Sequence, residues 1–193
     1  SQDHELAKST VVNDERLDTL HQEVEAKLIE MIARRQPMGQ DLREITAASR
    51  IANDLERVGD LAKNVAKRAI AIDNNLQPKK LAIGVEHMTE LALGQLKQVL
   101  DAYTRRDAEA ARRVQEADAE VDAIYTSLFR ELLTYMMEDP RVITQCVHLL
   151  FCAKNIERIG DHATNIAENV YFMVTGERLP EEREKVDEMS GAV

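Results

Sequence analysis

The chain has 193 residues and a formal net charge of −10, with 35 acidic against 25 basic side chains. Hydrophobic residues make up 44% of it and aromatic residues only 4%, which is a composition typical of an all-helical protein. The acidic excess argues against a nucleic-acid-binding protein, and no apolar run reaches the roughly 18 residues that a membrane-spanning helix needs.

Helical periodicity and chain-breaking residues divide the sequence into five predicted helices. Pro37 ends the first, the turn-forming stretch 73–78 ends the second, and Arg106-Asp107 ends the third. Asp139-Pro140, an N-cap followed by proline, separates the last two. The predicted helices cover approximately 3–36, 38–73, 79–105, 107–138 and 140–175.

The two cysteines, Cys146 and Cys152, lie six residues apart on the last predicted helix and form no C-x-x-C motif. They are typical of small buried apolar side chains in a reducing compartment. We find no secretory-signal pattern before the first helix, and we therefore expect a cytoplasmic protein.

The two halves of the chain repeat each other. LERVGD at 55–60 returns as IERIGD at 156–161, and matches at this offset of 101 positions continue to Ala66 and Ala167. A second series, at an offset of 104, relates residues 3–18 to residues 107–122. Helices one and two therefore repeat as helices four and five, whereas helix three has no counterpart.

These repeats predict an all-α fold built as a tandem repeat of three-helix bundles, of which the first lacks its first helix. The predicted divisions are a first repeat over 1–76, a second over 77–176, and an acidic, disordered tail over 177–193. We expect the natural protein to carry about 25–40 further residues before Ser1. Alternatively, a second copy of the chain takes the place of the missing helix, because the first hairpin leaves an apolar face open.

Each repeated phrase contains a glycine, Gly59 or Gly160, inside a predicted helix, where glycine costs about 1 kcal/mol relative to alanine. Each also places two carboxylates four residues apart, where like charges repel. Because the helical glycine and the closely spaced carboxylates are both unfavourable and both occur twice, they indicate a function. A missing side chain at this point permits the close approach of a neighbouring helix or of bound ions.

The repeated carboxylates are expected to gather at one level in each helical hairpin. Residues that face each other across a short antiparallel turn have numbers that sum to a constant. In the first hairpin the sum is 74 for Asp14 with Asp60 and for Asp18 with Glu56. In the second hairpin the equivalent pairs, Asp118 with Asp161 and Asp122 with Glu157, both sum to 279. Four like charges at one level require nearby cations, so the sequence predicts two metal sites. The predicted ligands are Asp14, Asp18, Glu56, Asp60, Asp118, Asp122, Glu157 and Asp161.

Oxygen ligands leave magnesium, manganese, iron and calcium open and argue against a structural zinc site. Asn64 and Asn165 follow Asp60 and Asp161 by four residues on the same face, as a further ligand or as part of a hydrogen-bond network. A solvated helix surface is the alternative interpretation of any single acidic pair. Arginines near the carboxylates are expected to neutralise only part of the charge; they are Arg16, Arg57 and Arg158.

The sequence contains no nucleophile–base pair, no phosphate-binding glycine loop and no dinucleotide fingerprint. It also lacks the Glu-x-x-His motif of di-iron helical bundles. We therefore expect that the protein is not an enzyme. The alternatives are a metal-dependent helical-bundle enzyme or metal-storage protein, and a purely structural helical oligomer.

Four stretches of this chain resemble the PhoU family: RRQPMGQDLR at 34–43, ANDLERVGDLAKNVAKR at 52–68, FRELLTYMMEDPR at 129–141 and AKNIERIGDHATNIAE at 153–168. The resemblance extends over about residues 3–180. It implies two repeated three-helix bundles and a multinuclear metal cluster in each, held by the eight carboxylates named above. Iron is the expected metal, with magnesium, manganese or zinc as alternatives.

The same resemblance implies a biological role. PhoU proteins repress the phosphate-starvation response when phosphate is plentiful, and they are thought to connect the ATPase subunit of the phosphate ABC transporter to a membrane sensor histidine kinase. We therefore expect a cytoplasmic, metal-binding adaptor that regulates phosphate uptake and assembles as a homodimer. The absent first helix is where this chain departs from the family pattern.

Overall fold

The computed structural model describes residues 2–72 and 80–180, and within these ranges the protein is all-α, as predicted. The predicted turn at 73–78 lies outside the described residues. No helix in the described ranges combines the length and the apolar character that a membrane crossing requires. The elements are α1 (Gln2–Arg35), α2 (Gln40–Ala71), α3 (Lys80–Arg105), α4 (Ala108–Glu116), α5 (Asp118–Glu138), a 3₁₀ turn (Pro140–Val142) and α6 (Ile143–Thr175).

The predicted chain breaks that fall within the described ranges are confirmed, and three of them have a clear local cause. Asp107 caps α4 by accepting a hydrogen bond from the Ala110 backbone N–H at 2.9 Å. Asp139 caps the 3₁₀ turn by accepting one from the Arg141 N–H at 3.0 Å. Gly176 ends α6 with a φ of +80°, a left-handed conformation that glycine adopts without strain.

The fourth predicted helix is wrong in one respect, because it consists of two helices that meet at Ala117. The Gln95 side-chain amide on α3 donates a hydrogen bond to the Ala117 carbonyl oxygen at 2.9 Å. That oxygen also accepts from the Glu120 N–H, three residues on, at 3.2 Å. The chain therefore tightens at Ala117, and α5 begins with Asp118 buried at its first position.

The second repeat is a three-helix bundle of α3, the α4–α5 pair and α6. Its core has two clusters, one around Met88, Leu132 and Ile156 and the other around Val99 and Ile166. Buried residues occur all along α6, because this helix contacts α2, α3, α4 and α5. The helix at the centre of the molecule therefore carries the second acidic phrase.

The first repeat is the hairpin of α1 and α2, and it packs through α2 onto α6. Ile51 belongs to the second core cluster and Leu61 to the first, so α2 contributes to both. The two helices run antiparallel, because Arg68, late on α2, lies against Phe151, early on α6. Part of the apolar surface of the first repeat thus packs against the second, whereas Leu20, Ile29 and Ile32 on α1 remain exposed.

Residues 177–180 belong to the predicted disordered tail, and they lie against the helical body instead. Leu179 is only 6% exposed, and the Pro180 carbonyl oxygen accepts a hydrogen bond from the Gln115 amide at 3.4 Å. Burial of the Leu179 side chain accounts for this order. The rest of the predicted tail, 181–193, lies outside the described residues.

Candidate functional site

The first carboxylate level is the predicted set of Asp14 and Asp18 on α1 and Glu56 and Asp60 on α2. The Lys63 amine lies between Asp14 and Asp60; it donates to Asp60 Oδ1 at 2.7 Å and to Asp14 Oδ2. Asp14 is buried, whereas Asp18, Glu56 and Asp60 are partly exposed. Asp14 and Asp60 are therefore close together, as predicted, and the Lys63 amine bridges their carboxylates. Hydrogen bonds to these two carboxylates raise the pKa of Lys63 above its usual value.

A guanidinium adds to the compensation of the first level. Arg57 Nη1 lies 3.8 Å from Asp60 Oδ2, and its Nε lies 3.5 Å from Glu56 Oε2. The arginine side chain is 56% exposed, so water screens both contacts. Lys63 therefore supplies most of the positive charge at this level.

At Gly59, side chains of α1 lie close against the backbone of α2. A Cβ built on Gly59 would overlap the Leu17 Cδ2 methyl and would lie 3.6 Å from Asp14 Oδ1. The absent side chain thus makes room for a leucine of the neighbouring helix, in agreement with the close approach predicted for the repeated glycines.

The second carboxylate level comprises Asp118, Asp122, Glu157 and Asp161, at the facing surfaces of α5 and α6. Glu157 Oε1 accepts a hydrogen bond from the Lys154 amine at 2.7 Å, and that amine lies 5.2 Å from the centre of the Tyr125 ring. Burial raises the pKa of Glu157; the amine opposes this rise, and the nearby charges of Asp161 and Asp122 add to it. The charges of Asp161 and Asp122 thus lie close enough to Glu157 to disfavour its ionisation.

Asp118 completes the second level beside Gly160. A Cβ built on Gly160 would lie 3.7 Å from Asp118 Oδ1 and 3.4 Å from Gln95 Oε1. Gln95 Oε1 is buried and has no hydrogen-bond partner, and the same is true of Glu157 Oε2. Buried acceptors normally have partners, so two unsatisfied oxygens at one level indicate that it can take a cation or a water molecule.

Oxygen atoms of carboxylates and an amide are the ligands that hard cations prefer, and the second level offers them with two acceptors unsatisfied. The donor set therefore fits a cation. In the part of the chain that the structure describes, however, no three His, Cys, Asp or Glu side chains converge closely enough to hold a metal ion as they stand. Side chains now bound to Lys63 and Lys154 must turn toward a metal for the predicted clusters to form.

In the described part of the chain, the remaining predicted participants form no hydrogen bond or ion pair with the eight carboxylates. Asn64 and Arg158 line a groove between α2 and α6, and Arg16 is exposed on α1. Asn165 is partly buried, and its backbone carbonyl accepts a hydrogen bond from the Asn169 amide. His21 on α1 is 17% exposed, and its buried Nε2 atom lies 3.8 Å from Glu25 Oε1, too far for a hydrogen bond.

The sequence analysis missed three side chains that shape these levels: Lys63, Lys154 and Gln95. Lys63 follows Asp60 by three residues and Lys154 precedes Glu157 by three, a spacing that places each pair on one helix face. That spacing predicts an ion pair between each lysine and its carboxylate, so both lysines could have been identified from the sequence. Gln95 lies on the helix without a counterpart, and nothing in the repeat pattern points to it.

Comparison with known proteins places these features in a family. The sequence matches the PhoU domain twice, over residues 1–69 and 85–170. It is 62% identical over 182 residues to the phosphate-specific transport system accessory protein PhoU homolog of Rhizobium meliloti, an alignment that covers 94% of this chain and 77% of the relative. The homologue of the same name from Caulobacter vibrioides is 53% identical over 97% of this chain and 82% of its own.

Two solved structures share the fold. The crystal structure of PhoU from Pseudomonas aeruginosa superposes with a TM-score of 0.87 at 38% identity and covers 90% of this chain and 83% of that one. The phosphate transport system regulatory protein PhoU from Streptococcus pneumoniae gives a TM-score of 0.84 at 26% identity, with 93% and 84% covered. The chain therefore belongs to the PhoU family.

Proposed function

We propose that this protein is an accessory regulator of phosphate transport. The observation that carries the proposal is the 62% identity, over 94% of the chain, to a relative named as a phosphate-specific transport system accessory protein. A second relative, at 26% identity, is titled a phosphate transport system regulatory protein. The finer role is that of a cytoplasmic adaptor between the ATPase subunit of the phosphate ABC transporter and a sensor histidine kinase, which restrains the phosphate-starvation response and has no catalytic activity.

A bacterium whose own family member is deleted tests this role. Expression of this protein should restore repression of a phosphate-starvation reporter at high phosphate, and it should co-purify with the transporter ATPase subunit and with the kinase. Failure of both readouts in cells that contain the folded protein would refute the regulatory role. Turnover of a phosphoester by the purified protein would favour the enzyme alternative instead.

The second part of the proposal is that the carboxylate levels bind metal, with iron as the first expectation and magnesium, manganese or zinc as alternatives. The eight carboxylates occur as two equivalent sets on facing helices, and Gln95 and Glu157 leave unsatisfied buried oxygens at the second level. Each level needs positive charge, which Lys63 and Lys154 supply as the side chains stand. Metal cations would take over this role and release the amines.

Elemental analysis after purification without chelator tests the metal part. The wild type should contain several metal ions per chain, and Glu157→Gln/Asp161→Asn should contain markedly fewer. The matched control is Glu86→Gln/Glu90→Gln, which removes two exposed carboxylates four residues apart on α3. Equal metal content in all three proteins would show that binding does not involve the second level, and absence of metal from the wild type would refute the metal proposal.

A further inference from the structure

The groove between α2 and α6 is lined largely by basic side chains. It has a volume of about 500 Å³, and its basic lining comes from both helices: Lys67 and Arg68 on α2, and His148, Lys154 and Arg158 on α6. Phe151 forms part of its wall. A protein with a net charge of −10 thus concentrates cations in one concave surface, which adjoins the second carboxylate level at Lys154.

Most of these cations lack a carboxylate partner. Within the described ranges, no ion pair involves Lys67, Arg68 or Arg158, whereas Lys154 is paired with Glu157. Arg68 instead lies over the Phe151 ring, 3.9 Å from the ring centre, which holds its guanidinium in place. Surface cations usually lie near opposite charge in so acidic a chain, so unpaired cations facing one another indicate a binding site for an external anion.

A buried polar atom supports the same conclusion. His148 is partly buried, and its Nδ1 atom has no hydrogen-bond partner. Because a buried unpaired nitrogen is unfavourable, a ligand oxygen or a water molecule within the groove would satisfy it. The groove therefore combines unpaired charge with an unsatisfied hydrogen-bonding atom.

The dimensions of the groove indicate how large the anion is. From His148 to Arg158 the α6 wall extends about 15 Å at 1.5 Å per residue, and from Asn64 to Ala71 the α2 wall extends about 10 Å. The volume of about 500 Å³ falls within the range of small-molecule sites and exceeds what a single phosphate needs. Arginine and lysine side chains spaced along such a length suit a row of phosphate groups, each with several acceptor oxygens.

We propose that this groove binds the di- or triphosphate chain of a small ligand. Arg158 and Lys67 contact the chain from opposite walls, and Arg68, held against Phe151, donates to it from the α2 side. This binding site is an addition to the regulatory role proposed above. Its existence does not require metal at the carboxylate levels. The free polyphosphate and the nucleoside triphosphate present the same chemistry, and either is an acceptable source of the chain.

Isothermal titration of the full chain, with divalent cations chelated and the salt held at about 0.15 M, tests the proposal. The ligands are inorganic tripolyphosphate, pyrophosphate, orthophosphate, ATP and a hexaglutamate peptide. Tripolyphosphate or ATP should bind at least about tenfold more tightly than orthophosphate, because additional charge-assisted hydrogen bonds form. The stronger of the two identifies the source of the chain.

The decisive variant is Lys67→Gln/Arg158→Gln, whose matched control, Lys97→Gln/Arg105→Gln, removes the same charge from exposed positions on α3. The groove variant should lose about 100-fold in affinity, near tenfold per cation, and the control less than about threefold. Circular dichroism verifies that both fold. The proposal is overturned by equal losses in the two variants, by no binding of any phosphate chain at millimolar concentration, or by tighter binding of hexaglutamate.

Discussion

His162 on α6 and Asp54 on α2 form a polar contact across the interface between the two repeats, with imidazole Nδ1 2.9 Å from carboxylate Oδ1. Their side chains are only 17% and 12% exposed. The contact lies between apolar side chains of α2 and α6, so it fixes which turn of one helix meets which turn of the other. His162 is next to Asp161, and it thereby ties the second carboxylate level to the first repeat.

Removal of either partner should destabilise the protein. Asp54→Ala and His162→Ala are each expected to lower the free energy of unfolding by about 1–3 kcal/mol, because the remaining group stays buried without its hydrogen bond. Urea unfolding of both variants and of the double variant gives the coupling energy, expected at about 0.5–3 kcal/mol. His87→Ala, at an exposed position on α3, is the control. Strictly additive losses would contradict the contact.

Lys63 should stabilise the first carboxylate level in the absence of metal. Lys63→Met removes the amine that Asp14 and Asp60 share and should lower the free energy of unfolding by about 1–2 kcal/mol in chelator, since the amine is partly exposed. Lys67→Met, one turn further along α2 and without an ion pair in the described ranges, should change little. The measurement is urea unfolding with and without added divalent metal.

Added metal distinguishes the two roles of that lysine. If carboxylates of the first level bind cations, Lys63→Met should be stabilised by Mn²⁺ or Fe²⁺ more strongly than the wild type, because no amine competes for Asp14 and Asp60. Equal stabilisation of the two proteins would show that metal does not bind through these side chains.

The two repeated glycines should respond differently to alanine. At Gly160 the nearest atom to an added Cβ is Gln95 Oε1 at 3.4 Å, so Gly160→Ala should gain the helix propensity of about 0.5–1 kcal/mol. At Gly59 the added Cβ meets Leu17 Cδ2, and turning Leu17 aside should cost about 0.5–1.5 kcal/mol. Thermal unfolding of both variants should therefore rank Gly160→Ala as the more stable. The reverse order would contradict the approach of Leu17 to Gly59.

The fold was largely predictable from local signals. Asp107, Asp139 and Gly176 act through their own side chain or backbone conformation, so their positions in the sequence sufficed to place three helix ends. The break at Ala117 was not predictable, because it depends on Gln95, 22 residues away on another helix. When a side chain distant in sequence stabilises a helix interruption, the hydrophobic periodicity around the interruption does not reveal it.

The site was predictable only in part, for a related reason. The antiparallel pairing rule correctly placed Asp14 near Asp60 and Asp122 near Glu157, because it needs only helix geometry and a short turn. The pairing rule did not identify the Lys63 and Lys154 amines, because these lysines occupy different positions in the two repeats. At the offset that relates the phrases, Lys63 corresponds to Thr164, so a search for repeated residues passes over it.

Gln95 should be important for the helix junction at Ala117. Gln95→Leu leaves the Ala117 carbonyl without its side-chain donor in a buried place, and we expect a loss of about 1–3 kcal/mol in the free energy of unfolding. Amide hydrogen exchange should accelerate at residues 117–121. Gln98→Leu, at an exposed position one turn further along α3, is the control. Unchanged exchange across the junction would show that Gln95 does not hold it.

The contribution of Glu157 to the free energy of unfolding should depend on pH. Burial raises the pKa of this carboxyl above its usual 4.5 in the folded protein, so the folded state holds its proton where the unfolded state has released it. As the pH rises through 4.5 toward the raised value, stability is therefore lost, and the loss persists at pH 7. Glu157→Gln carries no such charge and still accepts a hydrogen bond from Lys154.

In chelator, Glu157→Gln should therefore be more stable than the wild type at pH 7, and the difference should shrink as the pH falls below 4.5. Urea unfolding at several pH values measures it, with Glu90→Gln, at an exposed position on α3, as the control. Saturating metal should reverse the order at pH 7, because only the wild type offers the full carboxylate set. A wild type that is more stable than Glu157→Gln in chelator at pH 7 would mean that Lys154 outweighs the burial of Glu157.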